Sequence, residues 1–282
     1  MSANTFTQAE KAKQLYDLHH SGKFLMLPNI WDALGALLLE ELGYKAIATA
    51  SAAVAYSNGY NDGEQIPFTE ALRILKHISS RVNIPVTADI ESGYASEESV
   101  LAENIKQLIQ AGIVGINIED TDKKTKSLLP LDVQCARIKL IKNIAMEMNV
   151  PLFINARTDT FIHNQSFDSP QQQLDETIKR GDAYKAAGAD CFYPILVQRQ
   201  DHIQTIAEQV QLPMNVLMMP GIPGLNTLQE IGVARVSLGP GYLKYAVRAM
   251  RDLAVKLQSL EGLQEVIEND VTSDYLKRLV LK

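Results

Sequence analysis

Two hydrophobic periods alternate along the chain. Short apolar runs recur at 23–27, 45–49, 85–89, 114–118, 151–155, 190–193, 214–218 and 234–238. They read as continuous rather than in-and-out alternating, the pattern of strands buried on both faces. Amphipathic stretches of helical length lie between them, at 31–42, 68–80, 96–111, 132–148, 170–187, 199–209, 224–231 and from about 241. Four of these stop at the same punctuation: Leu42-Gly43, Ala111-Gly112, Ala187-Gly188 and Ile231-Gly232. Glycine there tolerates the left-handed turn that closes a helix. Eight strand–helix units predict an α/β fold, a closed (β/α)₈ TIM barrel rather than an open doubly wound sheet. No linker or low-complexity segment interrupts the pattern, so residues 1–282 read as one domain. The barrel spans about 23–258, and one or two C-terminal helices fill about 260–282.

Composition narrows the function classes. Thirty-three acids against 27 bases give a net charge of -6, which argues against a phosphate-rich nucleic-acid partner. No apolar run nears the ~18 residues of a membrane span. The N-terminus lacks a basic region followed by an apolar stretch, so no secretory signal is read. Cys135 and Cys191 fit neither a disulfide framework nor a zinc motif. The expectation is a cytoplasmic enzyme with no membrane partner.

In such a barrel, chemistry sits where strands end. The run at 85–89 ends in Asp89, with Glu91 two residues on. The run at 114–118 is followed by Glu119 and Asp120, that at 151–155 by Arg157 and Asp159, and the loop after 45–49 carries Asp62. Carboxylates converging on one rim repel each other unless a cation offsets them. An all-oxygen set suits a hard ion, Mg²⁺ or Mn²⁺. Asp120 reads equally well as structural, and Ser96, Asp132 and Ser169 read as helix caps. Gly239-Pro-Gly241 fits a phosphate-binding helix start or a tight turn. There is no Walker A loop, no dinucleotide fingerprint and no histidine pair at ligand spacing. His163 reads as a loop residue and both cysteines as core thiols.

These motifs resemble the isocitrate lyase/phosphoenolpyruvate mutase superfamily over about residues 24–250. The resemblance is carried by Leu27-Pro-Asn-Ile-Trp-Asp32, Thr49-Ala-Ser-Ala-Ala-Val-Ala55 with Gly59-Tyr-Asn-Asp62, Asp89-Ile-Glu-Ser-Gly-Tyr94, Gly115-Ile-Asn-Ile-Glu-Asp120 and Ile154-Asn-Ala-Arg-Thr-Asp159. It implies Asp89 as direct Mg²⁺ ligand, with Glu91 and Glu119 holding metal-bound waters. It implies Arg157 against a substrate carboxylate and the backbone of Ala50, Ser51 and Ala52 around the oxo-acid end. Asp62 would face the reacting group, with Trp31 and Tyr193 among the substrate contacts. Lys124 and Ser127 would act from a lid that also carries Lys123 and Lys126. A homotetramer exchanging a C-terminal helix is implied too.

Three departures shape the expected reaction. Glu91 stands where many relatives have Asp. The loop Thr121-Asp-Lys-Lys-Thr-Lys-Ser127 lacks the Lys-x-Cys-Gly-His motif of isocitrate and methylisocitrate lyases. Tyr193-Pro194 stands where mutase-like members often have histidine. The expectation is Mg²⁺-dependent cleavage or rearrangement of the C–C bond beside the carbonyl of a small α-oxo or 2-hydroxy carboxylate, through a metal-stabilised enolate. P–C chemistry of the mutase or phosphonopyruvate hydrolase type and a non-catalytic oxo-acid binder are the alternatives.

Overall fold

A computed structural model describes residues 6–281. Its strands are β1 (Leu25–Leu27), β2 (Asn29–Ile30), β3 (Ile47–Thr49), β4 (Val86–Asp89), β5 (Gly115–Ile118), β6 (Phe153–Thr158), β7 (Cys191–Pro194), β8 (Asn215–Leu217) and β9 (Arg235–Ser237). The helices preceding and between them are α1 (Gln8–His20), α2 (Ala33–Glu41), α3 (Ser51–Ser57), α4 (Phe68–Ser79), α5 (Glu98–Gln110), α6 (Leu131–Glu147), α7 (Pro170–Ala187), α8 (Gln200–Val210) and α9 (Leu225–Ile231). After β9 come α10 (Gly241–Gln258), α11 (Leu263–Ile267) and α12 (Ser273–Val280). No helix among the described residues is long and apolar enough to cross a membrane.

All strand pairs are parallel, in the orders β2-β3-β4-β5-β6-β7 and β1-β9-β8. The two sheets meet at two seams. β1 and β2 are halves of one strand divided at Pro28, whose missing N–H cannot continue a ladder. At the other seam Phe192 and Met214 form a parallel bridge, and the Phe192 N–H donates to the Pro213 carbonyl at 2.9 Å. The result is the expected (β/α)₈ barrel, each predicted strand recovered with ends shifted by a few residues.

The two faces of these strands differ more than the apolar runs suggested. Ala88, Ile116, Ile154, Phe192, Val216 and Val236 are buried in the core cluster. Their neighbours Asp89, Asn117, Asn155, Tyr193, Asn215 and Arg235 turn the other way. Asn155 Nδ2 donates to Asn117 Oδ1 at 3.0 Å, and Asn117 Nδ2 to Asp89 Oδ1 at 2.9 Å, across three adjacent strands. The barrel interior is thus a polar column, and alternation with period two is what sends these residues inward.

Two helices fall outside the predicted pattern. α1 starts with a capping box between Thr7 and Glu10 and covers the N-terminal end of the barrel. Gln8 Nε2 donates to the Ile109 and Ile113 carbonyls at 2.7 and 3.0 Å, and Ala12 and Leu15 are fully buried. α3 follows β3 directly. Of the predicted caps, Ser169 does cap α7, accepting from the Gln172 N–H at 3.2 Å. α5 starts after Glu97 and α6 after Pro130, so Ser96 and Asp132 are not caps.

The C-terminal extension divides in two. α12 returns to its own chain. Leu279 is buried, Arg81 Nη2 donates to the Val280 carbonyl at 2.6 Å, and Arg278 lies 3.3 Å from Glu41. α10 is amphipathic yet buries no residue, leaving Tyr245, Val247, Met250 and Val255 exposed.

Candidate active site

Asp89, the last residue of β4, is fixed on both oxygens. Oδ2 accepts from the Ser51 N–H at 3.1 Å and the Ser51 hydroxyl at 2.8 Å; Oδ1 accepts from Asn117 Nδ2 and, at 3.3 Å, from the Glu91 N–H. This spends the Ser51 amide, predicted for substrate, on orienting a carboxylate. Ser51 reaches Asp89 because α3 begins where β3 ends.

The loop after β4 is wound through left-handed backbone. Glu91 has φ 51°, Gly93 φ 89° and Tyr94 φ 53°. Such conformations cost a side-chain-bearing residue energy and persist where the surroundings over-determine them, often at functional sites. Glu64 supplies that constraint. Its Oε1 accepts from the Ser92 N–H, the Ser92 hydroxyl and the Tyr94 N–H at 3.0, 2.5 and 2.9 Å. At Gly93 an added Cβ would stand 2.6 Å from Leu101 Cδ1, so no larger residue fits the turn. The winding buries Glu91 beside Glu119, the residue after β5.

Lys123 joins these two carboxylates. Its Nζ lies 2.9 Å from Glu91 Oε2 and also pairs with Glu119 Oε1. Arg157, on β6, completes the chain of charges, with Nη1 2.8 Å from Glu119 Oε2 and Nε 2.6 Å from Asp159 Oδ1. Burial pushes the Glu119 carboxyl up to about 8, against the pull of Arg157, and the Asp159 charge adds to the rise. Burial raises Glu91 as well, and raises Asp62 together with the Asp89 charge. Lys123 and Arg157 are opposed by burial, but their carboxylate partners outweigh it and hold both in the charged form.

A cavity of about 230 Å³ opens beside this cluster. Asp62, Asp89, Arg157, Tyr193 and the segment Ala50, Ser51 and Ala52 line it, as the sequence placed them. So do Asn29, Asn117, Arg235 and Ser237, which the sequence reading missed. Asn117, Arg235 and Ser237 carried a signal, as polar residues within the apolar runs at 114–118 and 234–238; Asn29 lies just beyond the run at 23–27. Burial raises the Tyr193 phenol, keeping it a proton donor. The Leu238 and Gly239 N–H groups donate to Asn29 Oδ1 at 2.8 and 3.1 Å, and Gly241 N–H returns to the Leu238 carbonyl. The Gly239-Pro-Gly241 segment is therefore a turn held by Asn29.

Five predicted residues stay outside the cavity lining: Glu91 and Glu119 behind Asp89, and Trp31, Lys124 and Ser127 farther away. Trp31 lines external grooves, one beside Arg73 and His77 and the other under α12. Lys124 is exposed, its Nζ 3.5 Å from the Ser96 hydroxyl, and the Ser127 hydroxyl pairs with Thr125 at 2.8 Å. Within the predicted lid it is Lys123, four residues beyond Glu119, that reaches the carboxylates. The lid is pinned at its base. Thr121 and Leu128 form an antiparallel bridge, and the Thr121 hydroxyl donates to Asp159 Oδ2 at 2.5 Å while contacting His163 Nε2 at 3.0 Å.

Among the described residues, no three His, Cys, Asp or Glu side chains converge as a ready metal cage. The donor set nevertheless fits Mg²⁺, which keeps several waters and uses one or two carboxylates. Asp89 lines the cavity, Glu91 and Glu119 stand behind it, and the Lys123 ammonium lies between the latter two, where it offsets their charge.

Comparison with known proteins bears on the family and the fold. The phosphoenolpyruvate phosphomutase family profile matches residues 15–258. The chain is 29% identical to 2-methylisocitrate lyase of Bacillus subtilis over 215 residues, covering 74% of this chain and 67% of that one. The crystal structure of a candidate phosphonomutase from Burkholderia cenocepacia J2315 superposes with a TM-score of 0.82 at 38% identity, over 87% of this chain and 99% of that one. A phosphonopyruvate hydrolase crystallised with oxalate and Mg²⁺ shares the fold, with a TM-score of 0.84 at 21% identity over 95% and 94% of the two chains.

Proposed function

The chain belongs to the phosphoenolpyruvate phosphomutase family, and we propose that it is a Mg²⁺-dependent enzyme cleaving the C–C bond beside the carbonyl of a small α-oxo or 2-hydroxy carboxylate. The observation that carries this reading is one cavity lined by both Asp89 and Arg157. Superfamily relatives work on oxo-acid C–C or P–C bonds, as their names record.

Asp89 is the direct metal ligand in this reading, with Glu91 and Glu119 acting through waters. Bound Mg²⁺ supplies positive charge against the negative charge that develops on the carbonyl oxygen as the neighbouring bond breaks. Arg157 keeps Nη2 for a substrate carboxylate, because Nε and Nη1 are held by Asp159 and Glu119. That anchoring fixes its planar fork before substrate arrives. Ala52 backbone receives the oxo-acid end, beside the Ser51 amide already committed to Asp89. Asp62, its carboxyl raised by burial, and the Tyr193 phenol are placed to move a proton at the leaving carbon. Lys123 closes the lid over the carboxylates and excludes water, with Lys124 and Ser127 on the lid's outer turn. The eighth barrel helix, α10, buries nothing on its own chain, which supports a homo-oligomer, a tetramer in our reading, with this helix packed on a partner.

An NMR time course with Mg²⁺ tests the reaction. The panel holds oxaloacetate, substituted malates, methylisocitrate, phosphonopyruvate and phosphoenolpyruvate, with EDTA and Asp89→Ala controls. Pyruvate or an equivalent oxo-acid fragment released from a C–C substrate, only in the metal-loaded wild type, is the expected result. Turnover confined to the phosphorus compounds assigns P–C chemistry instead. Light scattering reads the oligomeric state.

A further inference from the structure

His163 lies on the loop after β6, outside the cavity lining. The loop nevertheless brings it back to the site. The Ile162 and His163 N–H groups both donate to the Asp159 carbonyl, at 2.9 and 3.0 Å. This turn leaves Ile162 in the cavity lining and half-buries His163. The His163 Nε2 stands 3.0 Å from the Thr121 hydroxyl.

Thr121 joins two parts of the site. It pairs with Leu128 across the neck of the lid, which the Asp122 N–H closes by donating to the Ser127 carbonyl at 2.9 Å. Lys123, two residues on, makes the lid's contact with Glu91 and Glu119. On its other side the Thr121 hydroxyl donates to Asp159 Oδ2 at 2.5 Å, and Oδ1 of the same carboxylate holds Arg157 Nε at 2.6 Å.

A hydrogen count fixes the direction of this chain. A hydroxyl has one proton to give. Asp159, ion-paired with Arg157, is an acceptor, so the Thr121 proton goes to it. The contact with His163 is then a hydrogen bond only if Nε2 carries a hydrogen and donates it. An imidazole protonated on Nδ1 alone would claim the Thr121 proton for itself. Asp159, 2% exposed, would lose its hydroxyl donor, and a buried polar group left without its partner is costly.

We propose that His163 is a positioning residue. By donating from Nε2 it turns the Thr121 hydroxyl onto Asp159, and so ties the neck of the lid to the orientation of the Arg157 fork. This inference rests on the oxo-acid reading, in which Arg157 receives a substrate carboxylate, and adds a residue that keeps the fork in place. His163 acts through Thr121 and Asp159 and takes no part in bond breaking.

Calorimetry with Mg²⁺ tests it, with oxalate as the probe because it offers a carboxylate to Arg157. His163→Phe keeps a ring and loses the donor. It is expected to weaken oxalate binding about tenfold, the scale of one hydrogen bond to a charged group. Thr121→Val should do the same, and the double variant should lose no more than either alone, because the two residues act in series. His163→Gln and Thr121→Ser, which keep a donor and a hydroxyl, should restore the affinity. Mg²⁺ affinity without oxalate should stay within about twofold of wild type in the His163 variants. The Arg157 Nε–H gives a direct reading. Its NMR signal in ¹⁵N-arginine-labelled protein, assigned by its loss in Arg157→Lys, should shift in His163→Phe and Thr121→Val and return in His163→Gln. Losses that add in the double variant, or an Nε–H signal unmoved in both single variants, overturn the inference. So does a lowered melting temperature with oxalate affinity unchanged, which marks a purely structural contact. A wild type that binds oxalate no better than Arg157→Lys overturns the oxo-acid reading and this inference with it.

Discussion

Glu119 and Asp120 are consecutive carboxylates after the same strand, both buried, yet they belong to different parts of the molecule. Glu119 turns into the barrel, onto Lys123 and Arg157. Asp120 turns out toward α7. Its Oδ2 accepts from the Thr158 hydroxyl, Arg180 Nη1 and the Tyr184 hydroxyl at 2.7, 3.0 and 2.6 Å, and its Oδ1 from the Asp159 N–H at 2.8 Å. One residue of strand register separates a carboxylate with exchangeable cationic partners from one locked by four donors. Burial raises both carboxyls, against the arginine beside each. Such a shift therefore does not by itself mark the site. What differs is the partners. Those of Glu119 are Lys123 on the loop after β5 and Arg157 at the cavity wall. Those of Asp120 are a helix arginine and a core tyrosine.

The largest effect should separate the pair by activity. Glu119→Gln is expected to lower kcat/KM by about 10²–10³, the range for removing one preorganised polar group from a reacting site. The unfolding free energy of that variant should not fall. Asp120→Ala should do the reverse. It strands Arg180 and Tyr184 in the core, and urea unfolding should show a loss of about 3–5 kcal/mol. Equal kinetic and stability losses in both variants would erase the distinction.

Lys123 offers a finer test. Replacing it by Met removes the ammonium that neutralises Glu91 and Glu119, so Mg²⁺ should bind about tenfold more tightly while turnover falls by about 10²-fold, the scale of a misplaced reacting geometry. Weaker Mg²⁺ binding in Lys123→Met would mean that the lysine supports the metal site instead of standing in for its charge.

The pH dependence sharpens the same contrast. A carboxyl raised from 4.5 to about 8 holds its proton more tightly in the folded chain than in the unfolded one. Its contribution to stability is complete below about 4.5 and is lost as pH rises toward about 8. Urea midpoints of the metal-free protein should fall across that window, and Glu119→Gln should flatten the fall. The smallest effect is expected at the neighbouring lysine. Lys124→Ala should change kcat/KM by less than about threefold, because its exposed contact with Ser96 is of the kind that contributes little.

Much of this was legible before the fold was seen. Continuous apolar runs placed the eight strands and the 3.6 period placed their helices. Asp89, Glu91, Glu119 and Arg157 were legible because barrel strands end on one rim, so position along the strand stands for position in space. Asp62 followed from the same logic, whereas Tyr193 and the 50–52 segment came from the family resemblance; all of them line the cavity. Where that logic lapsed, the reading did too. Lys123 and Lys124 are adjacent on a lid, where no period says which one turns inward. Trp31 lies in a motif at a strand end, but α2 begins at Ala33 and carries it to the outer surface. α1 was missed because its cap and its three inward residues make a weak stripe; only the open barrel end gives it something to cover.

The sequence by itself determined the eight units, the glycine stops and the acids at the strand ends, because these follow from local backbone preference and spacing along one chain. Tertiary structure decided which charges share a partner. Lys123 on Glu91 and Asp120 under Arg180 join residues 32 and 60 positions apart. Electrostatic energy depends on distance and on the water excluded between charges, and neither is written in the order of the residues.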